Sequence, residues 1–412
     1  MLPGASAIYT LRKHECEVTC LKVVHLNAFP MLVSGDRNGL IIIWDLIARR
    51  PRFQHQLESK AHIVSIGYLD HYITLLSKDH TLRFLCWCKN NCVVLTGQDH
   101  DDTNECEGLH QVYEIPVNTL NFANVALTPA EDGLHRLWCC HTVDSESFDV
   151  YTFNLQDPHS LKRQFNRVNL YDALLSATNW KRDNALEKTG IVMKFLEHKG
   201  VVFLGFESGF VVGVQLLETP NSQPVLALVY ASSIHYPEPV LSLCVSSDGR
   251  SVYSSSTNSV IGIHNLSSVA ELSIESKIIG GVAIPNELSL SKNALKMQSS
   301  EIAHLESIAN CLIATNWKGQ TLISNNSQTI VANAKERSNV LVEVSNAGSF
   351  SEEKKTQNWI KVSSMTCLER QKPNSIECFN AGQKRRIETF ASRNWIFTGY
   401  EDGSIVMQSF DT

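Results

Sequence analysis

The sequence predicts an all-β fold in which seven four-stranded blades form one ring, a seven-bladed β-propeller. Two observations predict it. Short apolar runs recur along the 412 residues, separated by turns rich in Asp, Asn, Gly and Ser, and long stretches of helical periodicity are nearly absent. The units also recur about every 40–60 residues, the spacing of repeats that each build one four-stranded sheet. We therefore expect a single domain over 1–412.

The most regular repeat lies near the N-terminus, in the segment MLVSGDRNGLIIIWDL at 31–46. One apolar strand ends near Ser34, a polar turn follows, and a second strand ends at Trp44 and Asp45. His14 stands four residues before the apolar strand that precedes this segment. The pattern resembles a WD40 repeat, and the resemblance implies a propeller of the WD40 type.

In the WD40 family a turn Asp holds a His, which reaches a strand Ser or Thr and then the Trp indole, so that polar groups satisfy one another inside the blade. The corresponding residues here are His14, Ser34, Asn38 and Trp44. Asn38 stands where the family has Asp, and an amide oxygen accepts a hydrogen bond without charge assistance. We therefore expect a weakened network in this repeat and an incomplete one in every other.

The later repeats keep parts of the same motif. Leu85 and His264 stand where Trp would in the second and fifth repeats. We interpret all of these positions as structural, because they build blades and carry no chemistry of their own. The remaining motif positions, in chain order, are Asp79, Asp132, Trp138, His235, Asn258 and Asp402.

The repeats define approximate blade boundaries. The seventh repeat ends after its third strand, so we expect the strand-like segment at 5–11 to complete that blade against 403–410, which closes the ring and removes free sheet edges. The predicted blades are 13–57, 58–96, 109–160, 188–232, 233–278, 279–332 and 359–412 together with 5–11.

Three stretches do not fit the blade pattern and are predicted to be polar loop insertions, at 97–108, 325–361 and 370–386. The last ends in the basic cluster Lys384–Arg386, which is either surface charge or a nuclear import signal. The insertions are either freely varying solvated loops or docking elements. We expect a partner surface on one rim, formed by 12–17, 59–61 and the 325–361 insertion.

Composition limits the function classes. The net charge of −6 and the pI near 6.2 argue against direct nucleic-acid binding. Residues 1–10 lack the basic and apolar segments of a secretory signal, and no apolar run is long enough to span a membrane, so we expect a soluble intracellular protein. The 12 cysteines are scattered, many in apolar runs, and are predicted to be reduced core thiols.

Motifs for catalysis or cofactor binding are missing from the sequence. It contains no nucleophile elbow, phosphate-binding loop, dinucleotide fingerprint or zinc-protease motif, and its cysteines and histidines lack paired metal-ligand spacing. We therefore predict a protein that is not an enzyme and that holds no cofactor or metal.

A finer resemblance rests on the strong first repeat SGDRNGLIIIWDL, the irregular middle and the ending FTGYEDGSIVMQSF. This combination is similar to the fungal ASTRA-associated WD-repeat family, whose animal relatives are G-protein-β-subunit-like WD-repeat proteins. The resemblance implies a nuclear, and partly cytoplasmic, scaffold subunit, monomeric within a hetero-complex. It further implies co-chaperone subunits, RuvB-like AAA ATPases and a phosphatidylinositol-3-kinase-related kinase as partners, and roles in chromatin remodelling and in maturation of such kinases.

Two other classes of WD40 protein remain as alternatives. A G-protein-β-type signalling scaffold uses an N-terminal coiled-coil helix, whereas only about a dozen residues precede the first repeat here. A ubiquitin-ligase substrate receptor would carry Arg two residues after Asp45, where this chain has Ile47.

Overall fold

The strands of the computed structural model form seven sheets, six of four strands and one of six, in which neighbouring strands run antiparallel except for one parallel pair in the six-stranded sheet. The first strands of most neighbouring sheets contact one another, so the sheets radiate from a common axis. This is a seven-bladed β-propeller, which confirms the predicted fold class. The structure describes residues 7–26, 29–88, 108–178, 180, 188–218, 223–272, 276–325, 329–334, 359–371 and 380–410.

Each blade has four strands, here called a to d from the axis outward. Blades 1 and 2 consist of Val18–Leu26, Phe29–Asp36, Leu40–Asp45 and Arg50–Gln56, then Ile63–Leu69, Tyr72–Ser77, Thr81–Cys88 and Gly108–Pro116. Blades 3 and 4 consist of Ala126–Pro129, His135–Cys140, Phe148–Asn154 and Asp157–Val168, then Val192–His198, Val201–Phe206, Val211–Leu217 and Val225–Ser232.

Blades 5 to 7 follow the same order. Blades 5 and 6 consist of Val240–Val245, Ser251–Ser256, Val260–Asn265 and Ala294–Lys296, then Ile302–Ile308, Cys311–Asn316, Gln320–Ser324 and Thr329–Ala334. Blade 7 consists of Val362–Leu368, Asn394–Tyr400, Ser404–Phe410 and the N-terminal strand Ala7–Arg12.

The core lies between adjacent blades, and the continuous apolar run in strand c of blade 1 shows why. Successive side chains of a strand point to opposite faces. Ile41 and Ile43 pack in one cluster with Ile63 of blade 2. The intervening Ile42 packs in a second cluster with Phe397 of blade 7. Because both faces are covered by neighbouring blades, such a strand is apolar at every position rather than at alternate ones.

The ring is closed by the N-terminal strand Ala7–Arg12, as predicted. This strand pairs antiparallel with Ser404–Phe410 over six residue pairs, from Ala7 opposite Ser409 to Arg12 opposite Ser404. Its Leu11 is buried and joins the cluster between blades 7 and 1. The first and last strands of the chain therefore share one sheet.

Two predicted blade boundaries in the first half of the chain are wrong. Strand d of blade 2 is Gly108–Pro116, which was assigned to the insertion at 97–108 and to blade 3. It pairs with Thr81–Cys88, so the long segment at 89–107 connects two strands of one blade. Blade 3 consequently begins at Ala126 and extends to Val168, past the predicted end at 160.

Blade 5 also ends later than the predicted 278. Its strand d, Ala294–Lys296, has only three residues, all exposed, and such a segment gives no apolar alternation to detect. The preceding hairpin, Lys277–Ile279 and Val282–Ile284, instead extends blade 4, since Val282 lies opposite Leu226. Blade 6 therefore begins at Ile302 rather than at 279.

Helices occur only between strands in the described part of the chain. Helix α1, Tyr171–Ala177, contacts strand d of blade 4 and its added hairpin. Helix α2, Ala381–Ala391, lies between strands a and b of blade 7. Single turns of 3₁₀ helix cover Glu131–Gly133 and Leu266–Ser268.

Helix α2 corrects the predicted loop insertion at 370–386. Its cap residue Asn380 accepts a hydrogen bond from the Gln383 amide at 2.9 Å, and the Gln383 side chain returns one to the Asn380 amide. Ile387 and Phe390, three residues apart, bury one face of the helix. This reciprocal cap was readable in the sequence as Asn followed three residues later by Gln.

The other two predicted insertions, 97–108 and 325–361, lie mostly outside the described residues. The ranges concerned that the structure does not describe are 89–107, 326–328 and 335–358. Within 325–361, however, Thr329–Ala334 is strand d of blade 6 and not a loop.

Several cysteines are free thiols buried in strands, including Cys20, Cys139, Cys140 and Cys244. Desolvation raises the pKa of these four thiols, which keeps them protonated.

Candidate interaction surface

Blade 1 carries a complete hydrogen-bond network. The Trp44 indole nitrogen donates to Ser34 Oγ at 2.8 Å, and Ser34 Oγ lies 2.7 Å from His14 Nε2. The other ring nitrogen of His14 lies 2.8 Å from a carboxylate oxygen of Asp36. All four side chains are buried. The chain of bonds joins the link before strand a to strands b and c and fixes their relative positions.

The predicted role of Asn38 in this network is therefore wrong. The acceptor for His14 is Asp36, the last residue of strand b, and Asn38 contributes its backbone amide, which donates to Asp36 at 2.9 Å. Burial alone would raise the pKa of Asp36. The hydrogen bonds from His14 and from the Leu40 and Asn38 amides outweigh burial and hold that pKa below its usual value. Charge assistance, which the sequence analysis expected to be lost, is present.

Asp45, the second residue of the Trp-Asp pair, has a separate structural role. Its carboxylate accepts hydrogen bonds from the Ile47 and Ala48 amides, each at 2.8 Å. These bonds hold the turn between strands c and d of blade 1.

In blade 2 an Arg side chain, Arg83, takes the place that His14 has in blade 1 as the partner of the turn carboxylate. The Asp79 carboxylate accepts hydrogen bonds from Arg83 at 2.7 and 3.1 Å, from Ser77 at 2.7 Å and from Ser59 at 2.7 Å. Burial alone would raise the pKa of Asp79, but these donors lower it to about 2. Asp79 thus holds the turn, and Arg83 was the functional partner that the motif search missed.

The predicted register of blade 3 is wrong. Asp132 lies exposed in the turn between strands a and b, with a left-handed φ of 56°. Trp138 lies on strand b, opposite Ala126 and Val150, where the WD40 motif has Trp on strand c. Its indole donates to Thr128 at 3.3 Å. An Asp-Gly turn marks a hairpin without showing which hairpin of the blade it is.

Blade 5 uses two histidines around one serine. Ser254 Oγ lies 2.7 Å from His235 Nε2 and 2.7 Å from His264 Nε2, and His264 Nδ1 lies 2.9 Å from the Tyr230 hydroxyl. Burial lowers the pKa of His235 to about 4 and that of His264 to about 3, so both rings are neutral. Asn258 accepts from the Val260 amide at 3.0 Å in the turn that follows strand b.

The turn of blade 7 is held by Asp402, whose carboxylate accepts from the Ser404 amide at 3.1 Å and hydroxyl at 2.6 Å. Gln408, at the Trp position, donates to the Ala332 carbonyl of blade 6 at 2.8 Å. The motif residues thus hold turns and join blades.

The b–c turns share one face of the ring with the links between blades, and we call this face the b–c rim. Along it the Arg37 amide donates to the Glu17 carbonyl at 3.0 Å, and the Lys78 amide donates to the His62 carbonyl at 2.8 Å. Gly39 has a φ of 79°, and a Cβ there would lie 3.0 Å from the Ala61 carbonyl oxygen. Close packing of turn against link therefore makes this rim rigid.

Exposed apolar side chains stand on the b–c rim at blades 2 and 3. Leu120 and Phe122, on the link between these blades, are 70% and 65% exposed, and Val143, in the b–c turn of blade 3, is 85% exposed. Lys78 lies with its Nζ 4.2 Å from the Phe122 ring centre and donates to the Thr119 and Asn121 carbonyls. We call Leu120, Phe122 and Val143 the rim patch, because all three are exposed apolar residues on the same rim; exposed apolar surface of this kind marks candidate interaction sites.

The predicted partner surface lies partly on the same rim. Residues 12–17 and 59–61 are links of the b–c rim, and Lys361 lies with its Nζ 5.3 Å from the Trp317 ring centre there. Most of the 325–361 insertion falls outside the described residues.

Within the described ranges no group of three or more His, Cys, Asp or Glu side chains is placed to hold a metal ion. No described helix is long and apolar enough to cross a membrane.

Comparison with known proteins places this propeller in a family. The sequence model described as ASTRA-associated protein 1 matches residues 7–408. The chain belongs to the ASTRA-associated protein 1 family. The family member from Lachancea thermotolerans is 47% identical over 98% of this chain and 99% of its own length.

Other members of the ASTRA-associated protein 1 family match over similar lengths. The Kluyveromyces lactis protein is 36% identical over 96% of both chains, and the Saccharomyces cerevisiae protein is 33% identical over 96% of this chain and 95% of its own. Among solved structures, Saccharomyces cerevisiae Sqt1 aligns over the whole of both chains with a TM-score of 0.53 and 11% identity. At that identity the likeness concerns the fold alone.

Proposed function

We propose that this protein is a non-catalytic scaffold subunit of the ASTRA complex that binds its partners through the b–c rim. The observation that carries the proposal is the rim patch, in which Leu120, Phe122 and Val143 are each at least 65% exposed. Lys78 holds the backbone around Leu120 and Phe122 by hydrogen bonds to the Thr119 and Asn121 carbonyls, so a partner that covers this link would lose little conformational entropy on the propeller side. Membership of the ASTRA-associated protein 1 family supports the assignment to the ASTRA complex.

Within this proposal the partners are co-chaperone subunits, RuvB-like AAA ATPases and a phosphatidylinositol-3-kinase-related kinase, and the complex acts in the nucleus. The roles are chromatin remodelling and maturation of such kinases. What supports these finer statements is the family resemblance, together with a rigid ring that offers several faces for simultaneous binding.

The test is affinity purification of the tagged protein from its own cells, with mass spectrometry of the bound proteins. The double variant Leu120→Asp/Phe122→Asp places two charges in the rim patch and is expected to reduce recovery of the bound subunits at least about tenfold, since burying an unpaired charge costs several kcal/mol.

The matched control is Ile278→Asp/Leu295→Asp, which changes two exposed apolar residues away from the b–c rim, 54% and 37% exposed. It is expected to keep the subunits bound. Equal recovery with both double variants would show that the rim patch is not the interface. Recovery of a cullin adaptor in place of AAA ATPases would instead assign the protein to ubiquitin ligases.

A further inference from the structure

A second surface lies on the opposite face of the ring, at the seam between the first and last blades. There a groove of about 490 Å³ is formed by the C-terminal half of α2, the N-terminal strand and the c–d turn of blade 1. Because these three elements come from distant parts of the chain, the groove exists only when the ring is closed. It is separate from the rim patch and from the function proposed for it.

The apolar side of the groove is a row of aromatic rings. The Phe390 and Trp395 rings stack with centres 5.0 Å apart and an interplanar angle of 16°. Tyr9 follows at 6.5 Å from Trp395, and the Arg49 guanidinium lies 3.4 Å from the Tyr9 ring centre. The Trp395 indole donates to the Phe390 carbonyl at 2.9 Å, which fixes this row.

The polar side of the groove is strongly basic. Arg49, Arg385, Arg386 and Arg393 line it, and none of the described lining residues is acidic. Among the residues that the structure describes, no ion pair engages these four guanidinium groups. Arg49, Arg385 and Arg386 are exposed. Four like charges around one concavity repel one another, so an anionic ligand would relieve that repulsion.

We propose that this groove, which we call the seam groove, binds an acidic peptide segment of a protein partner. The guanidinium groups would pair with its carboxylates, often in bidentate fashion. Tyr9 and Ile47, which are only partly buried and pack against the buried Phe390 and Trp395, would receive an apolar side chain of the same segment. Since the groove joins the N-terminal strand to blade 1 and to helix α2 of blade 7, the bound segment would also hold the ring closed.

Two properties favour an acidic peptide over a nucleic acid. The protein as a whole carries a net charge of −6, so a long polyanion would meet repulsion beyond the seam groove. The groove is also short, and its apolar side suits a side chain better than a phosphate backbone. A segment with a few carboxylates around one bulky apolar residue matches both sides.

The test measures binding of two labelled peptides to the full-length protein by fluorescence anisotropy. One peptide places a leucine among glutamates and the other places it among lysines. We expect the glutamate peptide to bind, with an affinity that falls as salt is raised, and the lysine peptide not to bind. The double variant Arg385→Glu/Arg386→Glu is expected to weaken binding at least about tenfold.

The matched control is Lys162→Glu/Lys277→Glu, which alters net charge equally at exposed positions on blade 3 and on the hairpin added to blade 4. It is expected to bind within about twofold of the parent. A milder variant, Arg49→Gln, removes one charge and is expected to weaken binding about threefold, and thermal melts confirm that each variant is folded. Hydrogen exchange should slow in the N-terminal strand when the glutamate peptide is bound.

Several outcomes would overturn the proposal. These are equal binding of both peptides, equal binding by the double variant and the control, or at least tenfold tighter binding of a phosphopeptide or an RNA of similar length. None of these outcomes would contradict the function proposed for the rim patch. The rim-patch variants, in turn, do not change the residues of the seam groove.

Discussion

At the scale of single residues, Asp36 maintains the hydrogen-bond network of blade 1 although Asn38 occupies the motif position. It ends strand b three residues before Gly39 and accepts the Asn38 and Leu40 amides at 2.9 Å each. Asn316 of blade 6 is placed in the same way before Gly319. The end of strand b is therefore a second position from which a side chain can hold the b–c turn.

Asp36→Asn is expected to destabilise the protein by about 2 kcal/mol, because a buried hydrogen bond to a charged group loses its charge assistance. The free energy of unfolding from urea denaturation measures this. The lowered pKa of Asp36 means that its contribution is present above the pKa of an unfolded Asp and is lost as the pH falls through the folded-state value.

Asn38→Asp is the matched control for that experiment. It restores the family's residue at a position whose side chain is not the acceptor for His14, so the free energy of unfolding should change by less than about 0.5 kcal/mol. A large loss from Asn38→Asp with none from Asp36→Asn would reverse the assignment.

At the scale of elements, blade 5 shows that a blade can replace the Trp and keep the network. His264 takes the indole's place against Ser254, and Tyr230 of the preceding blade occupies its other nitrogen. Neutral imidazoles can donate at one nitrogen and accept at the other, so one serine can bond to both rings. The consequence is two buried neutral histidines within one blade.

These histidines should make stability depend on pH. In the folded protein their pKa values are about 4 and about 3, whereas an unfolded His protonates near about 6.5. Below that pH the unfolded chain binds more protons, so stability falls as the pH is lowered towards 4. His264→Gln should reduce the slope of unfolding free energy against pH by up to about 1.4 kcal/mol per pH unit.

His159→Gln is the control, because His159 is exposed on strand d of blade 3 and its ring stays in water. Its slope should equal that of the parent protein. If His264→Gln also leaves the slope unchanged between pH 6.5 and 4, about the range in which unfolded histidines titrate, the histidines of blade 5 are not the groups that protonate on unfolding.

At the scale of the whole molecule, stability depends on the pairing of the two chain ends. The N-terminal strand covers Ser404–Phe410 and buries Leu11 between blades 7 and 1. Without it that strand would be an open edge, available to other chains. Ring closure therefore protects the protein from self-association as well as from unfolding.

Deleting residues 7–12 is expected to lower the free energy of unfolding by at least about 3 kcal/mol and to cause self-association, because hydrogen bonds and a buried leucine are lost together. Denaturation and size-exclusion chromatography measure the two effects. Ile8→Thr, at a position 54% exposed in the same strand, should show neither. A deletion variant that stays monomeric and equally stable would contradict the role of the seam.

The sequence by itself determined the propeller and the closing strand. Those features depend on local patterns, namely the apolar runs and polar turns that recur along the chain and the single Trp-Asp pair of blade 1, which are consistent with one another. The same patterns predicted His14, Ser34 and Trp44 as partners, and in the structure Ser34 Oγ lies within hydrogen-bond distance of both His14 and Trp44.

Only the tertiary structure decided that Asp36 is the carboxylate bonded to His14 and that Trp138 lies on strand b of its blade. It also decided which blades include Gly108–Pro116 and Val282–Ile284. Asp36 and Asn38 are two residues apart, and their different roles depend on where the strand ends. When a long connection separates strands c and d, no local sequence pattern indicates that the two strands belong to the same blade. The seam groove joins residues from both chain ends, so its arginines come together only when the ring closes.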